Sequence, residues 1–90
     1  LNTPETSQYS ENLDTPVVNM VQNRIAEIIA QRGVSPDRMS ITEKVWVVHR
    51  LNEEGLMAMK GAVAEIAEQL KVSVPTVYRY LNKPLPEQKS

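Results

Sequence analysis

AVAEIAEQLKVSVPTVYRYL, residues 62–81, decides how this chain is read. Val63, Ile66, Ala67 and Leu70 recur at i, i+3, i+4 and i+7, the spacing of one helical face. Ser73 is a natural cap for a second helix, and Pro75 falls in its first turn, where proline is tolerated. Ala67 is small enough for two helices to cross closely, and a large side chain there would overpack the crossing by ~1–3 kcal/mol. Val72, Val74, Val77 and Leu81 can close a small core beneath the second helix. The pattern is two short amphipathic helices joined by a tight turn, a helix-turn-helix, whose second helix (about residues 74–82) ordinarily lies in the major groove of DNA. Lys71 stands where the turn usually has glycine, and a left-handed backbone there would cost roughly 1 kcal/mol.

A helical wheel sets Pro75, Arg79 and Asn82 opposite the apolar residues, with Thr76 and Tyr78 on the flanks. Arg79 suits a bidentate pair with guanine O6 and N7, worth ~1–3 kcal/mol of discrimination. Asn82 suits adenine or a phosphate. Ser73 and Thr76 lie at the helix N-terminus, where hydroxyls and free N–H groups suit phosphate oxygens. Tyr78 is expected to face phosphate or a thymine methyl, and Tyr80 to pack inward. Lys71 and Lys83 fit phosphate contacts better than base contacts. Together with Val74 these make up the expected DNA-facing set: Lys71, Ser73, Val74, Pro75, Thr76, Tyr78, Arg79, Asn82 and Lys83.

Working outward, residues 1–14 are polar and aperiodic, the composition of a disordered linker or tail. Thr15 and Pro16 then offer a cap and a first helical position. Val17, Val18, Val21, Ile25, Ile28 and Ile29 follow on one arc of roughly 120°. Arg32 falls in the last turn and Gly33 is a natural stop, so residues 15–34 read as an amphipathic helix for packing or dimerisation. The span 35–83 reads as the DNA-binding domain and 84–90 as a C-terminal tail. Within it, Ser35-Pro36-Asp37 begins a brief turn, and Ser40 with Glu43 matches a capping box. The helix beyond runs to about Glu54, stops at Gly55, and has Ile41, Val45, Val47, Val48 and Leu51 on its apolar arc. Trp46 falls almost opposite that arc and needs cover from the first helix or a second subunit. Leu56 to Met59 is a short apolar run, either extended or an irregular buried link. The fold class is all-α, a small helical domain with a C-terminal helix-turn-helix.

Ninety residues suffice for one small domain with a marginal core. The chain starts at Leu1 rather than methionine, as a fragment of a longer protein would. Its net charge of −1 hides an uneven distribution. Residues 1–35 hold four acids and two bases (−2), residues 36–59 four acids and three bases (−1), and residues 60–90 five bases and three acids (+2). From Lys71 to Lys83 there are three bases and no acid. The positive field is local, where a phosphate backbone would meet it, and modest, so one copy should bind DNA weakly with a shallow salt slope. With no cysteine, disulfides and thiolate metal sites are excluded, and a cytoplasmic setting fits. No apolar run approaches the ~20 residues of a membrane span, and no secretory leader is visible. His49, the one histidine, reads as structural or surface, and no cofactor or metal is expected. Glu53-Glu54 and Glu65/Glu68 read as solvated charge, no nucleophile has a base partner, and no catalytic residue is assigned. An enzyme is not expected.

From Ser40 to Leu81 the chain resembles the C-terminal domain of YheO/DauR-type bacterial transcriptional regulators. The resemblance rests on Glu43-Lys44, Val48, Leu51 and Gly55, on Lys60-Gly61-Ala62-Val63, Ala67 and Leu70, and on Val72-Ser73 with Thr76-Val77-Tyr78-Arg79-Tyr80-Leu81. Generic helix-turn-helices share the Ala, Leu, Val-Ser and Thr-Val skeleton but not Lys60-Gly61-Ala62-Val63. The resemblance implies a bacterial regulator, such as a repressor, whose PAS-like N-terminal sensory domain is missing from this chain. Lys71 and Val74 depart from the glycine and the basic or polar residue that are more usual there.

Val18, Val21, Ile25 and Ile28 are spaced 3, 4 and 3, an a/d seam through which two copies could pair; the other use of this face is to cover the Ile41–Glu54 helix and Trp46. A homodimer would place two recognition helices one DNA turn apart and offset the weak field of each. The functional expectation is a homodimeric, sequence-specific regulator that binds double-stranded DNA. The alternative is a protein-interaction module that reuses the same helices without touching DNA.

Overall fold

The computed structural model describes residues 15–85, with side chains from Asn19 onward. The expectations for residues 1–14, for the Val17 and Val18 side chains and for residues 86–90 lie outside that range. Among the described residues there are four α-helices and no strand: α1 (Thr15–Gln31), α2 (Ile41–Glu53), α3 (Ala62–Leu70) and α4 (Val74–Asn82). The all-α expectation holds. Short 3-10 turns, Pro36–Arg38 and Leu56–Ala58, join α1 to α2 and α2 to α3. No helix among the described residues is long and apolar enough to cross a membrane.

The helix boundaries follow local chemistry. The α1 helix ends in two i→i+3 bonds, Arg32 N–H to Ile29 O and Gly33 N–H to Ala30 O, both 3.0 Å, after which Gly33 takes φ +71°. Ser40 opens α2 as a capping box: Glu43 N–H donates to Ser40 Oγ at 3.1 Å, and Ser40 N–H donates to Glu43 Oε1 at 2.9 Å. Gly55, at φ +82°, reverses the chain so that Leu56 turns inward and is buried.

One aliphatic core joins all four helices. Ile25, Ile28, Val47, Val48, Leu51, Ile66, Leu70 and Val77 are its largest fully buried members. The α1 helix packs on α2 and α3, and α4 packs on the same two helices. This arrangement corrects the seam reading of α1. Val21 is 4% exposed and Ile25 and Ile28 are 0% exposed, so these three lie in the chain's own core and are not presented to a second copy. The physical reason is scale: α3 and α4 have nine residues each, and a domain this small needs every apolar stripe to close a single core.

Trp46 finds its cover within the chain. The Arg32 guanidinium sits 4.5 Å from the indole centroid, a cation–π contact, and Arg32 Nε is buried against it without a hydrogen-bond partner among the described residues. Three further expectations change. Ile41 is 59% exposed, because as the first residue of α2 it precedes the stretch that packs. Val74 is 37% exposed and does not close the core; on α4 it lies roughly 60° around from Val77, at the margin of the buried arc. Glu65 is half-buried: it accepts from Gln22 Nε2 at 3.3 Å and Gln69 Nε2 at 3.0 Å, while Gln69 Nε2 also donates to the Gln22 carbonyl at 3.1 Å. Glu65 thereby clamps α3 to α1, and only Glu68 of that pair is solvated.

Glu54 is likewise engaged. Arg24 grips it through Nε to Oε1 at 2.7 Å and Nη2 to Oε2 at 2.6 Å, and Arg50 Nε adds a bond at 3.1 Å. These guanidinium bonds, Arg24 first, lower the Glu54 carboxyl from its ordinary 4.5 to about 2.

Candidate nucleic-acid interface

The turn between α3 and α4 is closed by backbone bonds. Lys71 N–H donates to Glu68 O at 3.2 Å and Val72 N–H to Ala67 O at 2.9 Å, the paired bonds of a Schellman ending. Their geometry requires a left-handed residue, and Lys71 supplies it at φ 61°, ψ 45°. It is the one non-glycine residue with positive φ among those described. Ala67, 5% exposed, sits in the core beside the crossing as its small side chain requires. Val72 packs against the core from the turn.

Ser73 then starts α4. Its Oγ accepts from Thr76 N–H at 3.3 Å and lies 2.9 Å from Thr76 Oγ1. One O–H is thereby shared between the two hydroxyls, and Ser73 Oγ caps the Thr76 N–H of the first turn. Pro75, within that turn, removes no bond the helix needs.

Inward, Val77 is fully buried and Tyr80 is 7% exposed, with Leu81 packed beside them. Outward, Val74, Pro75, Tyr78, Arg79 and Asn82 are all exposed and cover an arc of roughly 140° at helical spacing. Tyr78 is 49% exposed. Lys71 and Ser73 before the helix, and Lys83 after it, are exposed as well, and Thr76 is half-buried at the edge. The fold thus brings all nine sequence-derived residues to one helix and its two flanks. None of them is in the core.

His49, read from the sequence as structural or surface, proves structural, with a partner the sequence did not name. Its Nε2 donates to the Lys83 backbone carbonyl at 2.7 Å and so ties the end of α4 to α2. No local pattern could have signalled this, since the partners are 34 residues apart.

Of the described bases, only Arg24 and Arg50 are in ion pairs; Arg32, Arg38, Lys44 and Lys60 are in none among the described residues, and neither are the three bases around α4. Arg24 and Arg50 are engaged with Glu27 and Glu54 in the ion pairs of α1 and α2. Lys71, Arg79 and Lys83 take part in no ion pair among the described residues, so their charge faces water around α4. A polyanion would find an unopposed positive rim and a mixed apolar and polar helix face between its members.

Residues 20–82 match the family described as "HTH domain". The matched span begins within α1 and ends at the last residue of α4, so it includes the first helix as well as the two-helix motif. No curated protein and no solved structure matches the chain.

Proposed function

The chain belongs to the helix-turn-helix (HTH) domain family, and from that premise we propose that it is a sequence-specific DNA-binding regulator of transcription with α4 as its recognition helix. One observation carries the reading. The back of α4 is held by Val77 and Tyr80 in the core, while its front, from Val74 to Asn82, is open between the exposed Lys71 and Lys83. In this reading Arg79 pairs with guanine, Asn82 takes adenine or a phosphate, and Lys71 and Lys83 bind phosphates on either side. Ser73 and Thr76 act chiefly by fixing the first turn, since their hydroxyls already bond to each other. His49 is a positioning residue that holds the trailing end of α4 through the Lys83 carbonyl.

A homodimer belongs to the proposal, because three bases on one short segment neutralise few phosphates and two such segments add their contacts. The surface joining the copies lies away from Val21, Ile25 and Ile28. The resemblance to YheO/DauR-type regulators supports a cytoplasmic bacterial repressor in which a PAS-like sensory domain precedes this one.

Selection of bound sites from random duplex DNA tests the reading. Enriched sites arranged as two half-sites about one helical turn apart are the expected result. Arg79→Ala should then erase preference at one base position, and Lys83→Ala should weaken all sequences alike and flatten the salt dependence. No enrichment, together with an affinity for duplex that salt does not alter, would overturn it.

A second reading, a protein-interaction module, draws on the open 440 Å³ groove where apolar Met20, Val21, Leu56 and Met59 meet Asn23 and the Arg24, Glu27 and Glu54 ion pairs, and where Met20 is 65% exposed. It requires that the Arg79 and Lys83 variants leave function unchanged.

A further inference from the structure

We propose that the leading half of α4 reads pyrimidine 5-methyl groups in the major groove, with Val74, Pro75 and Tyr78 as the specificity-determining residues. The inference rests on the DNA-binding reading above and adds to it the chemistry of the bases contacted.

In a docked helix-turn-helix it is the N-terminal part of the second helix that meets the base edges. Here that part offers little that is polar. Ser73 Oγ accepts from Thr76 N–H and lies 2.9 Å from Thr76 Oγ1, so one of the two O–H groups is spent within the pair and a single hydroxyl proton is left to meet a base or phosphate. Pro75 has no N–H. The first charged group on the helix is Arg79, more than one turn along. What the leading end presents is the Val74 side chain at 37% exposure, the exposed Pro75 ring and the Tyr78 ring at 49% exposure.

Single exposed apolar side chains are ordinary on protein surfaces and need no account. These three differ in arrangement. At i, i+1 and i+4 they form one contiguous strip, with Pro75 and Tyr78 on the outward arc and Val74 at its edge, next to the margin of the buried face. Lys71 stands before them and Arg79 and Lys83 after them, with no acid between Lys71 and Lys83. That charge complementarity selects a polyanion as the occupant and holds the apolar group against its base edges.

The major groove has one apolar base-edge feature, the methyl on C5 of thymine. Methylated cytosine carries the same group at the same position. The shared chemistry is a 5-methylpyrimidine, and either base would fill the patch. Val74 and Pro75 give it aliphatic contact, and the Tyr78 ring closes the side nearer Asn82.

The test uses the 90-residue chain and the sites selected from random duplex. Each thymine is replaced in turn by uracil, which removes the methyl and leaves the pairing edge unchanged, and affinity is measured by fluorescence anisotropy. At one or more positions the loss should be roughly fourfold, the effect of leaving one methyl-sized group unburied. Val74→Ala, at an exposed position, should abolish most of that difference, whereas Tyr78→Phe should keep it. In a second arm, cytosine at the same positions is compared with 5-methylcytosine. Recovery of affinity by methylcytosine shows that the patch reads the methyl whichever base carries it, and no recovery restricts the ligand to thymine. Uracil binding as well as thymine at every position, with base preference intact, would overturn the methyl reading and leave DNA binding standing. Absence of any duplex binding would remove both.

Discussion

His49 Nε2 donates to the Lys83 backbone carbonyl across 2.7 Å, joining the middle of α2 to the point where α4 ends. The last carbonyls of a helix have no partner inside it, and at this end the chain leaves α4 in an extended conformation (φ −77°, ψ 146°). His49→Phe preserves ring bulk and removes the donor. A loss of about 1 kcal/mol in chemical denaturation is expected. Faster hydrogen exchange should accompany it at the Lys83 amide, which donates to Tyr80 O at 3.1 Å. Unchanged exchange there would show that the bond does not hold the helix end.

Lys71 has two roles that pull in opposite directions. Its left-handed backbone is strained by roughly 1 kcal/mol relative to glycine, while its exposed ammonium is available to phosphate. Lys71→Gly should therefore raise stability by about that amount and at the same time weaken duplex binding, with a salt slope smaller by about one unit. If stability and affinity fall together, the backbone at residue 71 is not left-handed.

Val21 distinguishes a core position from a dimer seam. At 4% exposure it has no room for a carboxylate, so Val21→Glu should lower the thermal midpoint steeply or abolish the cooperative transition. A variant that stays folded at wild-type stability but sediments as a smaller species would restore the seam.

The Arg24–Glu54 pair makes stability depend on pH in one direction. Folding lowers the Glu54 carboxyl from 4.5 to about 2, so the folded state binds fewer protons there than the unfolded chain does. Its contribution is complete above about pH 5 and falls away as pH drops from 4.5 through 2. Glu54→Gln should flatten denaturation midpoints across that window and leave the curve above pH 6 parallel to wild type. An unaltered acid limb would mean that other carboxylates govern it. The pair is solvent-facing, so the effect should shrink in high salt.

Much of the helix-turn-helix is legible in the amino-acid order, because its signals act over short distances. The capping box at Ser40 and Glu43, the stops at Gly33 and Gly55, the cap at Ser73 and the outward placement of Pro75, Arg79 and Asn82 all follow from spacings of five residues or fewer, within reach of helical geometry alone. Helix margins are less legible. Val74 and Ile41 carry apolar side chains in step with their arcs, yet each stands at the first position of its helix, where there is little left to pack against.

The amino-acid order determined which stripes must leave water and where each helix starts and stops. Tertiary structure alone decided what would cover those stripes: α2 and α3 rather than a second copy over Val21, Ile25 and Ile28, and Arg32 over Trp46. It likewise chose His49 for Lys83 and Gln22 for Glu65, partners 34 and 43 residues apart. Burial of apolar surface is non-directional, so a periodic face states that it needs a partner without naming one. Long-range hydrogen bonds follow only after packing has brought their two ends together.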